Sequence, residues 1–147
     1  MQIFRGGTMQ YFDHEKLDVY RAAIELVVLI DEMVEHLPRG RAYLADQLQR
    51  AGTSVPLNIA EGAGEYSSSE KVRFYRMAKR SATECASILD IGKRLQLFDE
   101  GRLVKGRELL MRIVAMLIKM ARMGETVGGS PLLPPSGAGT HAGTGTN

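Results

Sequence analysis

The sequence predicts an all-α protein: an antiparallel, up-down-up-down four-helix bundle with a disordered Gly/Pro-rich C-terminal tail. Three observations carry this expectation. Four stretches of roughly twenty residues or more repeat their apolar positions with helical period, and none sustains the alternation of a strand. Short segments containing Pro, Gly, Ser or Asp separate the four. After Met123 the chain turns to Gly, Pro, Ser and Thr with one charge, Glu125. Such a composition cannot bury enough apolar surface to offset its ordering entropy. The expected division is a flexible N-terminal segment over 1–12, the bundle over 13–123 and the tail over 124–147.

The first helix is expected from about Leu17 to His36, with Tyr20, Ala23, Ile24, Val27, Ile30 and Val34 on one stripe. Leu26, Leu29 and Met33 widen that stripe beyond what a helix buried on one side needs, so these three are assigned to a contact between subunits. Pro38 and Gly40 stop the helix. The second runs from Arg41 to about Glu61 with Leu44, Leu48, Ala51, Val55 and Ile59 inward. Pro56 removes one backbone donor, which predicts a kink or break near Gly52 to Pro56, and Gly62 and Gly64 end the helix. Ser67 with Glu70 three residues on is a capping-box signature for a third helix, about Ser68 to Gln96. Asp99 caps a fourth, about Glu100 to Arg122, whose apolar arc takes in Leu103, Leu109, Leu110, Ile113, Val114, Met116, Leu117 and Met120.

Composition narrows the function. The chain has 147 residues, 44% hydrophobic and 24% charged, which fits one globular domain. No apolar run is long enough to span a bilayer, because Glu25, Asp31 and Glu32 interrupt the best candidate. Met1 to Thr8 lacks an apolar core of signal-peptide length, so a cytoplasmic location is expected. The lone Cys85 excludes an intramolecular disulfide and a cysteine-cluster metal site. The net charge of +2 hides an asymmetry: Asp13 to His36 holds two basic and seven acidic residues, Leu37 to Met123 sixteen basic and nine acidic. An acidic first part beside a basic second part suits polyanion binding, head-to-tail docking of subunits, or simply solvated helix faces.

No motif promises catalysis. The three histidines lie near element ends or in the tail, and no Glu-x-x-His pair of the kind that builds di-iron bundles is present. Glu61 and Glu84 could in principle bind a cation, but a structural role suits them better, with Glu84 one turn after Arg80 and placed to pair with it. Cys85 falls in a small-residue stripe with Ala78, Ser81 and Ala82 and reads as a buried apolar group. No cofactor, metal or catalytic residue is expected. The basic clusters are the functional candidates: Arg73, Arg76 and Arg80 share one face of the third helix with Arg94 further along. Arg102, Lys105, Arg112, Lys119 and Arg122 line the fourth opposite its apolar arc. Stacked arginines suit phosphate contacts, and Tyr66 and Tyr75 could stack on bases.

The run Gln47-Leu-Gln-Arg50-Ala51-Gly-Thr-Ser54-Val-Pro-Leu-Asn58-Ile59-Ala60-Glu61-Gly62 resembles the end of the second helix in the 23S rRNA intervening-sequence protein family. Phe74, Ala78, Ser81 and Glu84 match the pattern of that family's third helix, and Leu17-Asp18-Val19-Tyr20 is similar to its opening. The likeness covers about Phe12 to Met123; Val55 stands where Ile is commoner, and the tail has no counterpart. It implies a left-handed antiparallel bundle assembled as a ring, typically a homopentamer, with no established enzymatic activity. It also implies nucleic acid, RNA or DNA, as a ligand, and a reverse transcriptase as one kind of partner, because relatives include the accessory protein of diversity-generating retroelements. In that frame Asn58, Glu61, Gly62, Ser81 and Glu84 tie the second and third helices together near Pro56. The expected function is therefore a non-enzymatic homo-oligomer that binds nucleic acid through its basic face, the alternative being a protein-interaction scaffold with no nucleic-acid contact.

Overall fold

The structure, a computed structural model, describes residues 3–5 and 8–128. Four long helices dominate it: α1 (Asp18–Glu35), α2 (Ala42–Ala63), α3 (Ser68–Arg94) and α4 (Glu100–Gly128). Ahead of them, within the segment expected to be loose, β1 (Ile3–Arg5) and β2 (Thr8–Gln10) pair antiparallel with Phe4 opposite Met9, and Asp13–Lys16 makes one 3-10 turn. Each helix packs on its neighbours in sequence and α1 closes the ring against α4, while no diagonal pair of helices packs together. That contact order is compatible with the up-down-up-down succession.

Helix boundaries follow local chemistry. Ser67 Oγ accepts the Glu70 backbone N–H at 3.4 Å, opening α3 as its capping signature predicts. The return half of the box is replaced, because the Glu70 carboxylate takes two hydrogen bonds from Arg73. Asp99 Oδ1 accepts the Arg102 N–H at 2.9 Å at the start of α4. At the other end of α3 the Leu97 N–H returns to Gly92 O at 2.9 Å, with Gln96 held at φ 56°.

Three local expectations change. Of the kink or break expected at Pro56, the break does not occur: helix α2 continues from Ala42 to Ala63, with Pro56 buried beside fully buried Val55 and Ile59. Gly62 does not stop α2; a Cβ there would lie 2.7 Å from Tyr75 Cε1 and 3.1 Å from Phe74 Cβ, so its hydrogen lets α2 and α3 approach closely. The helix ends one residue beyond Ala63, at Gly64, and Lys71 Nζ donates to Gly62 O (3.2 Å) and Ala63 O (3.0 Å) across the turn. Helix α4 also continues past Met123 to Gly128: Gly124 sits against Val72, and Glu125 pairs with Arg76. Of the expected tail, 129–147 lie outside the described residues.

The core corrects the phase of α1. Leu26, Leu29 and Met33, assigned from sequence to a subunit contact, are 0%, 3% and 1% exposed within a single chain. They form the centre of the inward stripe with Val19, Ala22, Ala23 and Ile30. Ile24 and Val28 face outward instead, 41% and 55% exposed, with Tyr20, Val27 and Val34 half-buried between the two faces. A helix apolar around most of its circumference gives period without phase, and only packing against α2 and α4 fixes the rotation. On α4 the expected arc holds: Leu109, Leu110, Ile113 and Leu117 are buried, Leu103, Val114, Met116 and Met120 flank them, and Val104 and Met111 point outward.

Candidate nucleic-acid interface

Helix α3 places Arg73, Arg76 and Arg80 on its outer face, where with Ser69 and Met77 they line a shallow groove of about 370 Å³. Their guanidiniums are not equally free. Arg73 bonds Glu70 at 2.9 Å and lies over the Phe74 ring with 4.7 Å to its centroid. Arg76 pairs with Glu125 of α4, and Arg80 joins no ion pair among the described residues. The exposed pairs are weak enough to yield to a phosphate, which accepts from the same donors.

The basic residues of α4 occupy a different face. Arg102 is held by Asp99 at 2.8 Å and approaches Glu32 of α1 at 3.8 Å. Lys105, Arg112 and Lys119 follow at seven-residue spacing on the flank toward α1. The matching flank of α1 carries Asp18, Glu25 and Glu32 at the same spacing, fixed in orientation by the Glu32–Arg102 approach and by Leu29 against Gly106. A row of carboxylates thus runs along the flank that bears the row of cations, and among the described residues Arg102–Glu32 is the one ion pair that joins them. The α3 and α4 clusters do not merge into one surface.

The motif residues meet along the outer seam of α2 and α3. Ser81 Oγ donates to Ser54 Oγ at 2.8 Å, and Asn58 Nδ2 donates to Ser54 O and Oγ at 2.8 and 2.9 Å. Gln47 Nε2 reaches Glu84 Oε1 at 3.5 Å, so Glu84 faces α2 rather than pairing with Arg80 as expected. Ser54 is the hub, a role readable only once the α2/α3 register is known. Glu61 is exposed and makes no hydrogen bond among the described residues, so it does not join this tie. Gln47, Ser54, Ser81 and Glu84 line a trough of about 680 Å³ together with Tyr43, Asp46, Arg50 and Ala51.

Other candidates separate by burial. Tyr75 is buried against Gly62, which pushes its hydroxyl pKa up and removes it as a stacking platform; Tyr66, in the α2–α3 loop, is fully exposed. Cys85 is buried, and desolvation, then the neighbouring Glu84 charge, pushes its thiol pKa up to about 12. Among the described residues no three His, Cys, Asp or Glu side chains gather as a metal site requires. None of their helices is long and apolar enough to cross a membrane.

Four long helices with a polar tie between the second and third define the class of the fold, an all-α four-helix bundle. The chain belongs to the family described as 23S rRNA-intervening sequence protein, which matches residues 15–119. A solved structure from Bacteroides thetaiotaomicron, described as a protein of unknown function from the S23 ribosomal protein family, shares the fold. It superposes with a TM-score of 0.65 at 21% identity, covering 71% of this chain and 95% of that one. No curated protein matches the chain.

Proposed function

We propose that the protein acts by binding rather than by catalysis: copies associate through the outward apolar positions of α1 and α4, and the α3 arginines of the assembly engage phosphates of RNA or DNA. The observation that carries the reading is the convergence of Arg73, Arg76 and Arg80 on one groove, with Arg80 unpaired among the described residues. Contacts of this kind position a phosphate backbone and carry no base sequence. The assembly surface moves from Leu26, Leu29 and Met33, which are core, to Ile24 and Val28 on α1 and Val104 and Met111 on α4. The α4 cations, faced by the α1 carboxylates, are left out of the phosphate surface. A homopentameric ring is the assembly the family resemblance implies, and a retroelement reverse transcriptase is the partner that would place such a ring beside nucleic acid.

The test is a pair of measurements on the full chain. Light scattering should give a multiple of the 16.2 kDa chain mass for the wild type and a lower mass for Ile24→Asp with Met111→Asp. Gel-shift titration with a mixed RNA and single-stranded DNA pool at low salt should show binding that the triple variant Arg73→Glu, Arg76→Glu, Arg80→Glu loses. A monomeric wild type, or binding indifferent to the triple variant, overturns the proposal.

A further inference from the structure

The end of α4 borders the arginine groove of α3. Arg76 and Ser69 line two adjoining hollows: the groove of about 370 Å³ that holds Arg73 and Arg80, and a second of about 210 Å³ formed with Val72, Gly124 and Glu125. In the second hollow the Glu125 carboxylate takes the Arg76 guanidinium, a pair 49 residues apart in sequence with both side chains about half exposed. A carboxylate in that place occupies the donors a phosphate oxygen would use. Local chemistry does not hold Glu125 there. The last turn of α4 lies at the negative end of the helix dipole, yet it carries an acidic residue and no Lys or Arg. Gly124 and Gly128 are poor helix formers, Thr126 and Val127 are β-branched, and Thr126 Oγ1 donates back to Met123 O at 2.9 Å. Two contacts with α3 hold the turn instead: Gly124 against Val72, and Glu125 on Arg76.

We propose that residues 124–128 are an autoinhibitory strap: Glu125 stands in for a phosphate on Arg76, and the strap lifts from α3 when a phosphodiester strand enters the groove. The inference rests on the reading of the α3 arginines as a phosphate surface and adds the regulation of that surface. The three guanidiniums start from different states. Arg73 is held by Glu70 of its own helix, whereas the partner of Arg76 comes from α4 and leaves when the end of that helix moves. Arg80 joins no ion pair among the described residues. Binding is weakened by the fraction of molecules in which Arg76 is already taken. An exposed pair sets that factor at about fivefold or less, so the strap tunes the groove rather than sealing it.

The probes are a fluorescein-labelled RNA strand of mixed sequence and the DNA strand of the same sequence, titrated with the full chain by fluorescence anisotropy at about 0.1 M salt, where screening acts beyond about 10 Å. Glu125→Gln should bind about two- to fivefold more tightly than wild type. Glu100→Gln removes the same charge about 37 Å away along α4, at 1.5 Å rise per residue, and should stay close to wild type. A lock tests the movement. Val72→Cys with Gly124→Cys sets two Cβ atoms about 4.0 Å apart, within disulfide range, and removes the Val72 methyl that a side chain at 124 would meet. Cys85 is buried and does not compete. The oxidised protein, checked for folding by circular dichroism, should bind about threefold or more weakly than its reduced form. Adding Glu125→Gln should restore binding with the lock intact. Glu125→Gln no tighter than Glu100→Gln, or a locked protein that binds as its reduced form does, overturns the strap and leaves the arginine surface standing. Binding kept by Arg73→Glu, Arg76→Glu, Arg80→Glu, or absent for both strands, overturns the phosphate surface and the strap with it.

Discussion

Truncating Leu26 separates a core residue from an interface residue. Its side chain is fully buried within one chain, among Ala22, Ala23, Ile30 and Met33. Leu26→Ala removes the hydrophobic transfer energy of the lost atoms and leaves a cavity that close-packed neighbours fill only in part, a cost of about 2–5 kcal/mol. A bundle spanning Asp18–Gly128 has ~110 residues; at about 2.1 cal/mol/K of unfolding entropy each, 1 kcal/mol corresponds to roughly 4 °C in Tm. Leu26→Ala should therefore lower Tm by about 8–20 °C. Ile24→Ala, two residues away but outward, should cost less than about 0.5 kcal/mol in any context where copies are dissociated. The assay is urea and thermal unfolding followed by circular dichroism at fixed, low protein concentration, since assembly makes apparent stability depend on concentration. Equal losses at the two positions, or a larger loss at Ile24, would refute the inward assignment of Leu26 and the rotation of α1 built on it.

Gly62→Ala places a methyl 2.7 Å from the Tyr75 ring and should destabilise by about 1–3 kcal/mol in the same unfolding assay. Gln96→Gly relieves a left-handed residue at φ 56° and should stabilise by about 1 kcal/mol. Asp99 has its pKa lowered by the hydrogen bonds from the Arg102 backbone and side chain, so its contribution is present above the ordinary carboxylate pKa of ~3.9 and is lost as pH falls through the depressed folded value. Wild type should thus exceed Asp99→Ala in stability at pH 7, with the gap closing below about pH 4. Cys85, with its pKa pushed up to about 12, should react with a disulfide reagent at neutral pH only as fast as the protein opens, and rapidly in denaturant.

The helices were legible in the sequence because period and caps are local. Leu17 to His36 brackets α1, Ser67 and Asp99 mark where α3 and α4 begin, and the inward residues of α2 are those its spacing indicates. What depends on neighbours was not. The phase of α1 needed α2 and α4 in place, because Ile24 and Leu26 are equally apolar. Gly62 reads as a stop until Tyr75 is seen across from it. The five residues of α4 beyond Met123 are helical despite their composition, tied by Val72 and Arg76 fifty residues earlier. The site was legible as residue types rather than as a surface. Arg73, Arg76 and Arg80 do share a groove, whereas the α4 cations lie along an acidic row whose heptad spacing is visible in the sequence but whose facing is not.

The slope of log affinity against log salt for single-stranded RNA most directly tests whether copies pool their α3 arginines on one strand. Each phosphate neutralised on a single strand contributes about −0.7, so three arginines on a lone copy give roughly −2. Wild type should be steeper than that, and the dissociating variant Ile24→Asp, Met111→Asp should fall to about −2 or less. Identical slopes for the two proteins, or no binding at low salt, would contradict the account.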